Sequence, residues 1–322
     1  MRVVSIPIDW NPSLSIFASE NFLQSVGDEY GWLGGIDSTG AVVCFLPYTI
    51  LYKGPFRLVR FRVETIYTDK MLETEEEKNF LNGVVEYFKS EGMGIIIPAT
   101  TNSIFKTYPD GAVAVPYGTY IIDLQKSENE IFSNFNSSHR RKVRKAEKSN
   151  IQIQSGLEFT EAAYNLIKIT FKRSRLRFMD YISFEKMVYS IEENVKIMVA
   201  VHEGIIQACV VIPFSQYCAY YVYGGSISQP VTGATNLLHW EAMKKFSERG
   251  VSKYDFVGVR IDPKKGSKQE GLANYKERFG GLLVQGYMWK YALKKTSQLS
   301  YSMAVRVLRG GDIVDNENKK LK

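Results

Sequence analysis

The chain has 322 residues, with 41 Lys and Arg against 34 Asp and Glu for a formal net charge of +7, and is 45% hydrophobic and 23% charged. At roughly 150 residues per domain this length points to two domains, and the apolar content excludes both wholesale disorder and a small disulfide scaffold. The positive balance favours anionic partners without identifying one.

Cys44, Cys209 and Cys218 form no CxxC pair, so neither a zinc ribbon nor a disulfide framework is indicated. Buried thiols in a reducing compartment are expected, with a Cys209–Cys218 bridge across a hairpin as the lesser alternative. Apolar runs such as 41–46 and 209–214 are far shorter than the ~20 residues of a membrane helix, and no span is expected. Pro7 and Asp9 stand where a signal peptide would have its apolar core, so the expected location is the cytoplasm.

Residues 31–36 and 41–48 are apolar runs separated by Asp37, Ser38, Thr39 and Gly40, which predicts a β-hairpin. Phe80, Val84 and Phe88 recur at helical spacing over 73–90 behind an acidic first turn, and Gly92 stops that helix before a short strand at 93–97. A strand at 118–124 ends the first mixed unit. Helices near 130–150 and 161–175 follow, then strands at 195–202, 206–214 and 217–223, the first two joined by a turn at Glu203 and Gly204. A long amphipathic helix over 232–249 is stopped by Gly250 before a strand at 253–257. A short helix closed by Gly280 and Gly281, a last strand at 287–291 and a frayed polar tail from 310 to 322 follow. The two halves share the order helix, hairpin, helix, strand, without a residue-level repeat.

The densest charge is at 139–148, where Arg140, Arg141, Lys142, Arg144, Lys145 and Lys148 stand against the single acid Glu147. His139, Val143, Ala146 and Asn150 make one narrow helical seam; the cations outside it form either a solvated face or a surface that holds phosphates. A second basic stretch carries Arg260, Lys264, Lys265 and Lys268 but lacks the GxxxxGK[ST] spacing of a nucleotide loop, and its Gly258 and Gly266 suit ordinary turns equally well. Between Tyr220 and Asn236 a strand ends and a helix begins. Backbone N–H groups there can bind a carboxylate or phosphate, with Gly233 allowing close approach, or Thr232 or Thr235 can simply cap the helix.

Leu272, Tyr275 and Phe279 share one helical face with Lys276 at its edge. A lysine held partly desolvated beside aromatic rings strengthens its field on a developing oxyanion; on an ordinary surface helix it would snorkel into water instead. The three histidines, His139, His202 and His239, show no HExxH spacing, no GxSxG elbow is present, and His239 beside Trp240 is expected in the core.

Three stretches, taken in order, resemble the FemAB family of aminoacyltransferases, whose members carry two GNAT-like domains and build peptidoglycan cross-bridges. They are Tyr120-Ile121-Ile122-Asp123-Leu124 followed by the basic run from Ser138 to Ala146; Tyr223-Gly224-Gly225-Ser226 leading to Trp240-Glu241-Ala242 and Tyr254-Asp255-Phe256-Val257-Gly258; and Gly271-Leu272, Tyr275-Lys276 and Phe279-Gly280, similar to the family's GLxxFKxxFG with Tyr for the usual Phe. The likeness spans 115–290, and Lys53-Gly54-Pro55 is similar to a KGP or RGP element.

The resemblance implies an α+β fold of two GNAT-like domains, each a mixed, mostly antiparallel sheet flanked by helices. It places them at 1–125 and 126–296, the second carrying the catalytic helix, with 297–322, a helix at 297–309 and a tail, returning to the first. It implies transfer of an acyl or aminoacyl group from aminoacyl-tRNA or acyl-CoA to an amine acceptor, a nucleotide-linked cell-envelope precursor being one candidate. Lys276, aided by Tyr275, would stabilise the tetrahedral oxyanion, an effect worth about 3 kcal/mol. Lys53, Arg140, Arg141, Arg144, Tyr223, Gly233, Thr235, Asn236, Arg260 and Lys264 are the candidate substrate-binding residues. No metal and no tightly bound cofactor is implied. Family members that use tRNA often insert a long helical hairpin in the second domain, and its absence here leaves acyl-CoA open as donor. A non-enzymatic RNA- or anion-binding protein using the basic helix and loop is the alternative.

Overall fold

In the computed structural model of the chain, residues 1–294, 301, 303, 305 and 311–319 are described. They form two compact units, one of residues 1–10, 17–118 and 284–322, the other of residues 11–16 and 119–283. Each is a mixed α+β unit. The helix expected at 297–309 lies for the most part outside the described residues.

The first unit opens with β1 (Arg2–Ile6) and α1 (Glu20–Val26), followed by β2 (Glu29–Ile36), β3 (Val42–Lys53) and β4 (Phe56–Phe61). The hairpin foreseen from Asp37 to Gly40 joins β2 to β3, with Asp37 Oδ1 accepting from the N–H of Thr39 and Ala41 at 2.8 and 3.0 Å. β5 (Ile66–Tyr67) also pairs with β3, and α2 (Thr74–Ser90) then leads to β6 (Ile95–Ile96), which runs parallel to β4. α2 carries a reciprocal capping box between Glu73 and Glu76 and buries Phe80, Leu81, Val84 and Phe88 against Leu33, Cys44 and Leu46 of the sheet.

β7 (Val113–Asp123) carries the chain into the second unit, where α3 (Glu128–Asn134) and α4 (Ser137–Lys148) replace the single helix expected over 130–150. The break has a local cause. Asn136 adopts an extended cap conformation and accepts from the N–H of Ser138 at 2.9 Å, while Phe135 is driven into the core. β8 (Gln152–Ser155), α5 (Thr160–Arg173), α6 (Tyr181–Ser190), β9 (Val195–His202) and β10 (Ile205–Pro213) follow. The third strand expected at 217–223 is two pieces, β11 (Ala219–Tyr220) and β12 (Tyr223–Ser226). α7 (Ala234–Glu248), β13 (Lys253–Asp255), β14 (Val259–Arg260), α8 (Lys268–Glu277) and β15 (Leu282–Ala292) complete the series, β15 returning the chain to the first unit.

The split strand arises because its two halves serve different sheets. β12 is antiparallel to β10 in the order β12-β10-β9-β8, whereas β11 lies parallel to β13, which in turn pairs with the end of β7. The changeover takes one residue step: Tyr221 N–H donates to Asp255 O at 2.8 Å and Val222 N–H to Val211 O at 3.3 Å. α7 fills the space where the strands part, burying Leu237, Leu238, Trp240, Met243 and Phe246 together with Met198, Val210, Tyr254 and Phe256. Cys44, Cys209 and Cys218 are buried and form no disulfide among the described residues. No described helix is long and apolar enough to cross a membrane.

Candidate active site

The best-formed cluster of buried polar groups in the second unit sits at the end of β13. Asp255, 4% exposed, accepts the hydroxyl of Thr119 and the N–H of Val257, the latter at 2.7 Å. Immediately afterwards Val257 has φ of 50°, a left-handed conformation that a β-branched side chain resists. That strain is over-determined from both sides: Asp255 holds the Val257 N–H, and the Lys276 ammonium donates to the Val257 carbonyl.

Lys276 also donates to Gly258 O at 2.7 Å and is only 4% exposed. Two of its three N–H donors are therefore spent on the backbone just past β13, and one remains. The expected helical face is rotated: Ala273, Lys276 and the following Phe279 are buried, while Leu272 is 48% exposed. Burial pulls the Lys276 pKa down from 10.5 to about 8, against the favourable charge of Asp255. Burial likewise pushes Asp255 up from 3.8 to about 6, opposed by Thr119, Val257 N–H and Lys276.

The C-terminal end of α8 is fixed by the α3–α4 junction. Asn136 N–H donates to Arg278 O at 2.8 Å, and His139 Nε2 lies 3.1 Å from Tyr275 O. A carbonyl can only accept, so Nε2 carries the proton; burial lowers the His139 pKa to about 4, which keeps the ring neutral and leaves Nδ1 a bare acceptor with no partner among the described residues. Gly280 closes the clamp with φ of 74°, and a Cβ there would stand 2.3 Å from Asn134 O. Phe279, fully buried, packs edge-on to Phe135 and His139.

A second buried histidine adjoins this group. His239, 0% exposed, has Nδ1 2.8 Å from the Tyr254 hydroxyl, and its ring lies 6.1 Å from that of Tyr275. Burial, then the Lys276 charge, lowers its pKa to about 3. His239 Nε2, Tyr275 OH and Asn236 Nδ2 are buried without hydrogen-bond partners among the described residues.

The other sequence candidates fall in several places. Arg140, half-buried, donates from Nη1 to the carbonyls of Ser133, at 2.7 Å, and Phe135, closing α3, with Nε and Nη2 not part of these bonds. Arg141 and Arg144 are exposed, Arg144 lying 5.7 Å over the Phe132 ring. Gly233 makes its close approach to α4: a Cβ would stand 2.1 Å from Lys142 O. Thr235 is half-buried in the first turn of α7, and Asn236 is 4% exposed. Tyr223 packs among Phe171, Phe178 and Phe184. Arg260 is half-buried on β14, two residues beyond the carbonyl of Gly258, and Lys264 is exposed in the loop before α8. Lys53 belongs to the first unit, exposed at the end of β3 and paired in register with Phe56, so its KGP element is a tight hairpin turn.

Sequence reasoning missed Asp255 and His139 as neighbours of the lysine. The available signal was an acidic residue set directly before Phe256-Val257-Gly258 at a strand end, and a histidine on the apolar seam of an otherwise basic helix.

The fold is shared with solved structures of low sequence identity. FemX superposes with a TM-score of 0.67 at 16% identity, covering 94% of this chain and 99% of that one. L-PGS from Bacillus licheniformis gives 0.52 at 12% identity, covering 92% of each chain. A tandem GNAT protein from the clavulanic acid biosynthesis pathway gives 0.51 at 12%, covering 85% of this chain and 86% of that one. No curated protein matches the sequence. The FemAB family profile matches residues 108–204 and 201–305, well over half of the chain and all of the Asp255–Lys276 cluster. The chain therefore belongs to the FemAB family.

Proposed function

We propose that this protein transfers an acyl or aminoacyl group from an activated donor to an amine, with Lys276 as the group that stabilises the oxyanion. The acceptor nitrogen attacks the donor carbonyl carbon, its π electrons move to oxygen, and the tetrahedral centre collapses by releasing the tRNA hydroxyl or CoA thiol, which takes up the proton lost by the amine. The observation that carries this reading is the buried ammonium held by two carbonyls with one N–H unspent. A cation desolvated in this way acts on nearby charge far more strongly than one in water. Direct transfer needs no covalent enzyme intermediate.

The donor is aminoacyl-tRNA or acyl-CoA. The longest described helix of the second unit, α7, has 15 residues, so no long helical hairpin extends from its described part, which favours the smaller thioester. The acceptor belongs to cell-wall precursor chemistry, encountered in the cytoplasm, and Arg141, Arg144 and Lys264 are the exposed cations offered to its phosphates or the donor's.

Transfer from labelled aminoacyl-tRNA and from acyl-CoA, measured for the native chain and for Lys276→Gln, tests the proposal. Turnover should fall about 100-fold or more with KM little changed, because the lost interaction forms in the transition state. Equal turnover by the variant removes Lys276 from the mechanism.

A further inference from the structure

At the corner where α5 passes into α6, large aliphatic side chains stand in solvent. Leu176 is 61% exposed in the connecting segment, Ile182 is 77% exposed in the first turn of α6, and Ile169 is 51% exposed in the last turns of α5. The exposure of Leu176 runs against local expectation. α5 ends with Arg175 at φ of 56° and Leu176 N–H bonded back to Phe171 O at 2.9 Å, a closure in which the residue at this position usually folds onto the helix. Here Phe178 takes the inward place instead, its ring 4.8 Å from Phe171 and 5.8 Å from Phe184. The corner is thus braced from beneath while Leu176 is held outward.

The same corner is strongly basic. Between residues 168 and 186 there are six cations and two acids, and one of the acids, Asp180, is occupied in capping α6 through Ser183. Lys172, Arg175 and Arg177 are exposed. Lys268, in the first turn of α8, donates to the Ser174 hydroxyl, which joins α8 to the corner; Leu272, one turn further on and on the same side of α8, adds another exposed aliphatic group. Exposed aliphatic groups ringed by Lys and Arg match a lipid surface of negative charge. A single-stranded nucleic acid would instead call for several exposed rings on which bases stack, whereas here Phe171, Phe178 and Phe184 are turned inward and one exposed ring, Tyr189 at the far end of α6, accompanies the aliphatic groups.

We propose that the α5–α6 corner, continued by the first turn of α8, docks on an anionic bilayer surface. Leu176 and Ile182 enter the boundary between headgroups and acyl chains, while Lys172, Arg175, Arg177 and Lys268 meet lipid phosphates. Docking of this kind brings the second unit to a membrane without a spanning helix, and it goes beyond the transfer chemistry proposed above.

Co-sedimentation of the full chain with vesicles of phosphatidylcholine alone, and of phosphatidylcholine mixed with phosphatidylglycerol, tests it without any transfer substrate. Binding should require the anionic lipid and be lost near 1 M salt, where the screening length shrinks to ~3 Å. Leu176→Ser with Ile182→Ser, and separately Arg175→Ser with Arg177→Ser, should each weaken binding about tenfold or more while leaving the melting curve unchanged. Failure to sediment with anionic vesicles, or sedimentation indifferent to both double variants, overturns the proposal. So does binding of bulk tRNA that both double variants abolish while vesicles remain unbound.

Discussion

Lys276 in the second unit and Lys290 in the first are buried to nearly the same degree, 4% and 5% exposed, yet they are held in opposite ways. Lys290, on β15, meets Asp312 at 2.7 Å and Asp315 at 2.6 Å, so its charge is answered by two carboxylates and it anchors the short helix Ile313–Asn318. Lys276 donates to two carbonyl oxygens, and the one carboxylate that acts on it, Asp255, does so through space, without an ion pair between them among the described residues. A buried cation neutralised by carboxylates is finished as a structural element. One held by dipoles keeps a net charge that a passing anion can still use. That contrast assigns chemistry to Lys276 and architecture to Lys290.

The largest effect expected from breaking the contrast is at Lys276. Lys276→Gln should remove about 100-fold or more of the transfer rate, as argued above, and should also lower stability by about 2 kcal/mol, because the Val257 and Gly258 carbonyls lose a charged donor. Lys276→Arg keeps the charge and the carbonyl bonds on a larger group and should recover stability more fully than rate. Lys290→Met should do the reverse. It leaves Asp312 and Asp315 without their cation, costs about 3 kcal/mol in denaturant unfolding, and leaves turnover per folded molecule unchanged. Loss of turnover in Lys290→Met at full folding would erase the distinction between the two lysines.

Much of this arrangement was legible in the residues, and the rest was hidden for identifiable reasons. The β2–β3 hairpin and α2 were readable because turn chemistry and helical periodicity are local, and Asp37 and the Glu73–Glu76 box act within a few residues. α6 also carried a local signal, Asp180 as cap with Phe184, Met187 and Val188 at helical spacing, that went unread. The division of one strand into β11 and β12 was not local: Tyr220 and Tyr223 differ in which distant strand they join, and no pattern within the segment records that. The site shows the same limit. Lys276 stood out by its setting among aromatics, but its burial depends on carbonyls 18 and 19 residues away. Charge density on α4 likewise could not reveal that Arg140 Nη1 closes α3.

The pH dependence sharpens the comparison further. With its pKa depressed to about 8, Lys276 should lose its proton as pH rises through that value, so transfer should decline on an alkaline limb near pH 8. Its contribution to stability moves the other way. Between about 8 and the ordinary 10.5 the unfolded chain holds the proton and the folded chain does not, so this group makes folding more favourable as pH increases across that window. Asp255, raised to about 6 from 3.8, binds a proton in the folded chain that the unfolded chain has released, and its contribution therefore falls as pH rises from about 4 to 6. Asp255→Asn removes the charge that supports the Lys276 ammonium, and the alkaline limb of transfer should shift to lower pH. An unmoved limb would show that the two groups do not act on each other.

The smallest expected effect separates holding the helix from doing chemistry. His139 donates Nε2–H to Tyr275 O and thereby fixes the turn of α8 that presents Lys276. His139→Phe deletes that bond but retains ring packing against Phe279, so it should cost about 1 kcal/mol of stability. Its effect on transfer should be a reduced kcat with the alkaline limb still near pH 8, since the ammonium is displaced without its burial being changed. His139→Gln, whose amide can again donate to the Tyr275 carbonyl, should restore part of the rate. A purely packing role for His139 would give the opposite ranking, with the ring-preserving Phe variant faster than the hydrogen-bonding Gln variant, and steady-state kinetics of the two proteins at pH 7 decides between them.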